Sequence, residues 1–133
     1  MPNHYHLFVR QNEGTSISRF IQTTFNAYTQ GTNLITGHSG TLFQGRVKGR
    51  VITSEDYAVR LVRYIHYNPV AAGFVRRPEM WKYSDYLDWI GLRKGGISEL
   101  ALRDEFFKSP EDYRNTMDEY VLDKEIERDT EKA

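Results

Sequence analysis

The 133-residue chain has no cysteine, only four prolines, no net charge and no long apolar run. Without cysteine there are no disulfides, thiolate zinc sites, iron–sulfur clusters or thiol nucleophiles, so any metal must take its donors from His, Asn, Gln or carboxylates. No stretch approaches the roughly 20 apolar residues that span a bilayer, and the amino terminus lacks a basic-then-apolar leader pattern. The expected location is therefore cytoplasmic. The length supplies one domain's worth of core, enough for an enzyme or a binding module and too little for a multidomain machine.

The zero net charge is a cancellation of 18 Lys and Arg by 18 Asp and Glu. Residues 1–77 carry nine cations against three acids (Glu13, Glu55, Asp56), whereas residues 78–133 carry nine against fifteen. Such asymmetry suits a basic binding part followed by an acidic tail. It suits equally two differently charged surfaces with no partner.

His4-Tyr5-His6-Leu7-Phe8-Val9 has strand composition, and a strand would place His4 and His6 on one face and Tyr5 on the other. Ser16 or Thr15 is a good N-cap for a following helix. There Ile17, Phe20, Ile21, Phe25 and Tyr28 repeat at three and four residues, so they form a core-facing stripe ending near Gly31. The Thr-, Gly- and Asn-rich stretch 33–40 reads as a loop. Thr41 to Thr53 alternates, and an extended arm there would present Arg46, Lys48 and Arg50 in a row, a pattern that solubility alone also explains.

Ser54 followed by Glu55 and Asp56 is a helix start, and Ala58, Leu61, Val62 and Ile65 continue the helix to an expected stop at Asn68-Pro69. Trp81, Tyr83, Tyr86 and Trp89 place four large aromatics in nine residues. Such a cluster is more often core than a platform for nucleobases. Ser98 caps an expected helix through Phe107, and Ser109-Pro110-Glu111-Asp112 starts another. The last dozen residues are highly charged and read as fraying.

Two histidines at spacing two and, far along the chain, a helix with Tyr64 and Asn68 one turn apart make a chemically coherent set. Paired imidazoles can ligate a divalent cation, Asn68 can add a neutral oxygen, and the ion can polarise a phosphate. Tyr64 could then attack phosphorus, the metal offsetting the cost of deprotonating a phenol whose free pKa is about 10. Singly, each residue has a plainer reading as core, wet hydroxyl or helix end.

The blocks MPNHYHLFV, SISRFIQTTFNAY, GTLFQGR, RYIHYNPVAAGFV and WKYSDYLDWIGL, in that order over residues 1–92, resemble the single-tyrosine transposases of the HUH nuclease superfamily. They are most similar to the REP-associated tyrosine transposase branch. The resemblance implies metal-dependent cleavage and strand transfer of single-stranded DNA, a transposase or nickase activity that leaves a 5′-phosphotyrosine and a free 3′-OH. It implies Tyr64 as nucleophile and His4, His6 and Asn68 as ligands of Mg²⁺ or Mn²⁺. His66 and Tyr67 receive no role, and Tyr28 and Tyr57 read as packing residues. In this context Arg46, Lys48, Arg50, Arg60 and Arg63 become a backbone track for DNA, with hairpin-flanked repeats as substrate and a homodimer as the assembly.

Members of that family carry a strand, a helix and a further strand ahead of the HUH strand, which have no counterpart before His4 here. The expected fold is thus α+β: an amino-terminally truncated ferredoxin-like HUH domain over residues 1–92, with a small antiparallel sheet and several helices, then an acidic helical tail over 93–133. Ala71 stands where relatives often have Arg. Two other classes compete with the nuclease: a DNA-binding remnant of a transposase that no longer cleaves, and a small helical interaction protein whose acidic helices hold a partner or a second copy.

Overall fold

Side-chain caps set most of the helix starts. The computed structural model describes residues 1–131. Helix α1 (Ile17–Thr36) opens at Ser16, whose Oγ accepts the Arg19 N–H at 3.3 Å. Helix α2 (Glu55–Ala71) opens in the same way at Ser54, which accepts the Tyr57 N–H at 3.3 Å, with Glu55 and Asp56 in its first turn. A 3₁₀ turn (Pro78–Met80) and the one-turn helix α3 (Tyr86–Trp89) follow. Helix α4 (Leu100–Phe106) is capped by the Glu99 carboxylate. Helix α5 (Pro110–Glu131) begins where Ser109 Oγ accepts the Asp112 N–H at 3.0 Å, and it continues through the charged stretch to Glu131.

No strand occurs among the described residues, so the fold is all-helical, and the expected α+β architecture with a small antiparallel sheet is wrong. His4–Val9 and Thr41–Thr53 both have strand composition. A strand, however, needs a ladder partner for its N–H and C=O groups, and no ladder forms among the described residues. Two helix ends also lie beyond their expected places. Helix α1 passes through Gly31 and stops at Gly37, whose φ of 68° provides the left-handed C-cap that glycine adopts without strain. Helix α2 passes through Pro69, where the ring removes a single hydrogen bond close to the helix end; the last turn closes with Ala72 N–H to Asn68 O and Phe74 N–H to Pro69 O, both 3.0 Å.

The chain divides into two units, Leu7–Val51 and a second made of Met1–His6 with the chain from Ile52 onward. In the first, no residue is buried. The α1 stripe has the expected periodicity, with Ile17, Ile21 and Phe25 half-buried, but Phe20 and Tyr28 stay 50% and 60% exposed. Phe43 packs edge-on against Phe25 at 4.8 Å and tilted on Tyr28 at 6.0 Å.

The second unit holds the core: Ala58, Val62 and Tyr67 of α2, Tyr86 and Trp89 of α3, Leu102 of α4, and Tyr113 and Met117 of α5. At its centre lies His66, 2% exposed. Its Nδ1 bonds to the Tyr113 hydroxyl and its Nε2 to Asp85 Oδ1 at 2.9 Å. The other carboxylate oxygen of Asp85 accepts from Trp89 Nε1 at 2.9 Å and from Ser98 Oγ at 2.7 Å. Nearby, buried Asp88 is clamped by Arg93 at 2.7 Å and by the Gly95 N–H at 2.6 Å. A Cβ at Gly95 would stand 2.8 Å from that carboxylate, so a larger residue there would have to displace it from its clamp.

Burial pushes the Asp85 carboxyl up, but the hydrogen bond and charge of His66, with the Ser98 hydroxyl, outweigh it and bring it down from 3.8 to about 2. A carboxylate held below its unfolded value stabilises the fold above pH 3.8, and this contribution is lost as pH falls through about 2. Asp85→Asn is therefore expected to unfold at lower temperature than the native chain at pH 6, with the gap closing as the pH drops from about 4 to below 2. Thermal scans by circular dichroism check this; a gap of the same size at the acid end would contradict the assignment.

Candidate active site

Helix α2 has two working rows. Ala58, Val62 and His66 follow one another at spacing four and are all buried, whereas Arg60, Tyr64 and Asn68 form a second row at the same spacing. Two residues correspond to about 200° of helix rotation, so burying His66 turns Tyr64 outward. Tyr64 is 45% exposed and Arg60 is exposed.

The amino-terminal histidines meet that outward row. The His6 ring lies edge-to-face against the Tyr64 ring at 5.8 Å, and the His4 ring lies edge-to-face against His6 at 5.1 Å. His4 Nδ1 is also 2.7 Å from Asn3 Oδ1. Residues 4, 6 and 64 are thus brought together, although the histidines ride on an irregular segment instead of the expected strand.

Partial shielding of its ring, the neighbouring His4 and the terminal ammonium lower the His6 pKa below 6.5, which favours the neutral imidazole that a metal requires. Asn68, one turn along from Tyr64, has its Oδ1 buried with no hydrogen-bond donor among the described residues. A buried amide oxygen without a donor is costly, and a cation would satisfy it. His4 and His6 offer ring nitrogens and Asn68 an amide oxygen, donor types that a divalent ion takes. Among the described residues, no three His, Cys, Asp or Glu side chains gather to hold one.

Comparison with family models, with curated proteins and with solved structures finds no match to this chain. No described helix is long and apolar enough to cross a membrane.

The remaining cations fall in different settings. Arg46, Lys48 and Arg50 are exposed in the Leu7–Val51 unit, on an irregular segment where a strand was expected. Arg63 is half-buried, with its guanidinium 5.2 Å from the centre of the Tyr120 ring of α5. Tyr57 is half-buried on α2.

Sequence reasoning assigned nothing to His66 and did not single out Asp85 or Tyr113. A signal was present for His66: it continues the Ala58–Val62 row at spacing four, which is the mark of an inward position. Asp85 and Tyr113, 19 and 47 residues away along the chain, carry no comparable local mark.

In the metal-free chain, the His6 ring is expected to titrate below 6.5, and His4→Ala is expected to move that midpoint upward. Imidazole resonances followed by NMR across pH 5 to 8 measure both, and a midpoint at or above 6.5 in the native chain would exclude the proposed environment.

Proposed function

We propose that this chain is a metal-dependent single-tyrosine nuclease of the HUH type that cleaves and transfers single-stranded DNA through a 5′-phosphotyrosine, the chemistry of DNA transposition. The observation that carries the reading is the packing of the His6 ring on Tyr64, with the donorless oxygen of Asn68 one turn further along α2. A divalent ion on His4, His6 and Asn68, Mg²⁺ or Mn²⁺, would supply Lewis-acid polarisation of the scissile phosphate.

The chain's own groups account for the rest. Tyr64 Oη forms the new bond to phosphorus as the bond to the 3′ oxygen breaks, and that oxygen leaves as a free 3′-OH after taking a proton. The phenol proton passes to water, which reaches a side chain that is 45% exposed. The His6 ring packs edge-to-face against the Tyr64 ring at 5.8 Å. Arg60, on the same row, offers a positive charge to the strand, and Arg63, Arg46, Lys48 and Arg50 are the further cations assigned to its backbone. A transposase of this type would act as a homodimer on hairpin-flanked repeats.

A second reading, a DNA-binding protein that does not cleave, draws on one observation: the His4–His6 segment is not part of any sheet among the described residues. Metal affinity falls when ligands lack a rigid support.

Incubating the full chain with Mn²⁺ or Mg²⁺ and a single-stranded, hairpin-flanked oligonucleotide is expected to give a covalent adduct on a denaturing gel. Tyr64→Phe should abolish it, and Asn68→Ala should reduce it by about tenfold or more. An adduct that survives Tyr64→Phe would sink the nuclease reading. Salt-sensitive binding with no adduct in either metal would favour the non-cleaving one.

A further inference from the structure

The four aromatics between residues 81 and 89 divide into two pairs. Tyr86 and Trp89 are core, 2% and 4% exposed, whereas Tyr83 is 73% exposed and Trp81 half-exposed. Phe74, 50% exposed, extends the outer pair into a run of three: Phe74 to Trp81 at 5.9 Å and tilted by 34°, then Trp81 to Tyr83 at 5.4 Å and edge-to-face at 69°. Leaving three adjoining rings in water next to a core that takes two others is a large exposure of apolar surface for one small patch.

The patch is also held in place. Gly73, at φ 75°, turns the chain out of α2, and the Phe74 N–H closes that turn on the Pro69 carbonyl at 3.0 Å. Pro78, buried in the 3₁₀ turn, fixes the approach to Trp81. The patch is thus tied to the carboxy-terminal end of the helix that carries Tyr64 and Asn68.

Its charge identifies the occupant. Residues 74–83 carry Arg76, Arg77 and Lys82 against the single acid Glu79, which pairs with Arg77 at 2.8 Å. Arg76 is exposed, and Lys82 Nζ lies 4.8 Å from the centre of the Tyr83 ring. A single strand of nucleic acid offers flat π faces for the rings and phosphates for the cations, whereas a duplex keeps its base faces stacked inside. We propose that Phe74, Trp81 and Tyr83 form a base-stacking platform for single-stranded DNA, with Arg76 and Lys82 contacting its backbone. The choice of DNA over other single strands rests on the function proposed above; the platform itself stands on the exposed rings and their cations.

The test is anisotropy of a fluorescein-labelled 12-mer of dT, a strand without secondary structure, titrated with the full chain. Trp81→Ala and Tyr83→Ala are each expected to weaken binding about tenfold, while Trp81→Phe and Tyr83→Phe stay within about twofold of the native chain. Removing a ring should leave the salt dependence unchanged, whereas Arg76→Ala should reduce the slope of log affinity against log salt by about 0.7. Circular dichroism confirms that each variant is folded, and the aromatic-retaining pair separates loss of a ring from loss of structure. Affinity for the 12-mer that ignores the alanine variants overturns the platform, as does a native chain that does not bind. Self-association that depends on Trp81 and Tyr83 also overturns it, since a second copy is then the occupant. Covalent adduct is read on the same samples: adduct without ring dependence leaves the nuclease standing and removes the platform, and ring-dependent binding without adduct does the reverse.

Discussion

A buried imidazole with both nitrogens engaged allows helix α2 very little rotational freedom. Asp85 can only accept, so His66 Nε2 must be the donor to it. Burial pushes the Tyr113 phenol well above its usual value, so Tyr113 keeps its proton, and its hydroxyl closes on His66 Nδ1. Trp89 and Ser98 satisfy the far side of the carboxylate. Rolling α2 by one residue, about 100°, would break the contacts to α5 and to the Asp85 turn together, and a buried polar group left unpaired costs about 1–3 kcal/mol. The row of Arg60, Tyr64 and Asn68, exposed at Arg60 and Tyr64 and half-buried at Asn68, is the geometric complement of this lock. A helix whose inward side is set by directional bonds, and not by grease alone, holds its other side in one register.

What was legible in the sequence was local. Ser16, Ser54 and Ser109 announce their helices because a cap is made within three residues, and hydroxyl, first-turn acid and proline act at that range. The Tyr64–Asn68 spacing likewise follows from helix geometry alone. What misled was also local chemistry whose partner is not local. His4–Val9 and Thr41–Thr53 alternate like strands, yet alternation provides no ladder. Gly31 resembles a helix end, but a helical glycine costs only about 1 kcal/mol, and the stop waits for Gly37. In the sequence the aromatic cluster reads as one object, although Tyr86 and Trp89 are buried while Tyr83 is exposed and Trp81 half-exposed. His66 went unassigned because its partners come from a turn and from α5.

Charge follows the same division between local and distant. The surplus of six cations in the first 77 residues and the surplus of six acids in the last 56 cancel in the sum but sit on different elements. Arg63 is an instance where the two meet: its guanidinium lies against Tyr120 of the acidic helix, with Lys124 also near that ring at 5.7 Å. A cation so placed contributes packing as well as charge.

The Leu7–Val51 unit, with no buried residue, bears on how such a chain can change over generations. Large losses of stability come from cavities, stranded polar groups and broken networks, and a segment without a core has few of these to lose. Substitutions across it are screened by whatever its surface touches and hardly at all by folding. Residues around His66 are screened by folding first. The molecule therefore has one part in which folding constrains substitutions little and another that is conservative by construction.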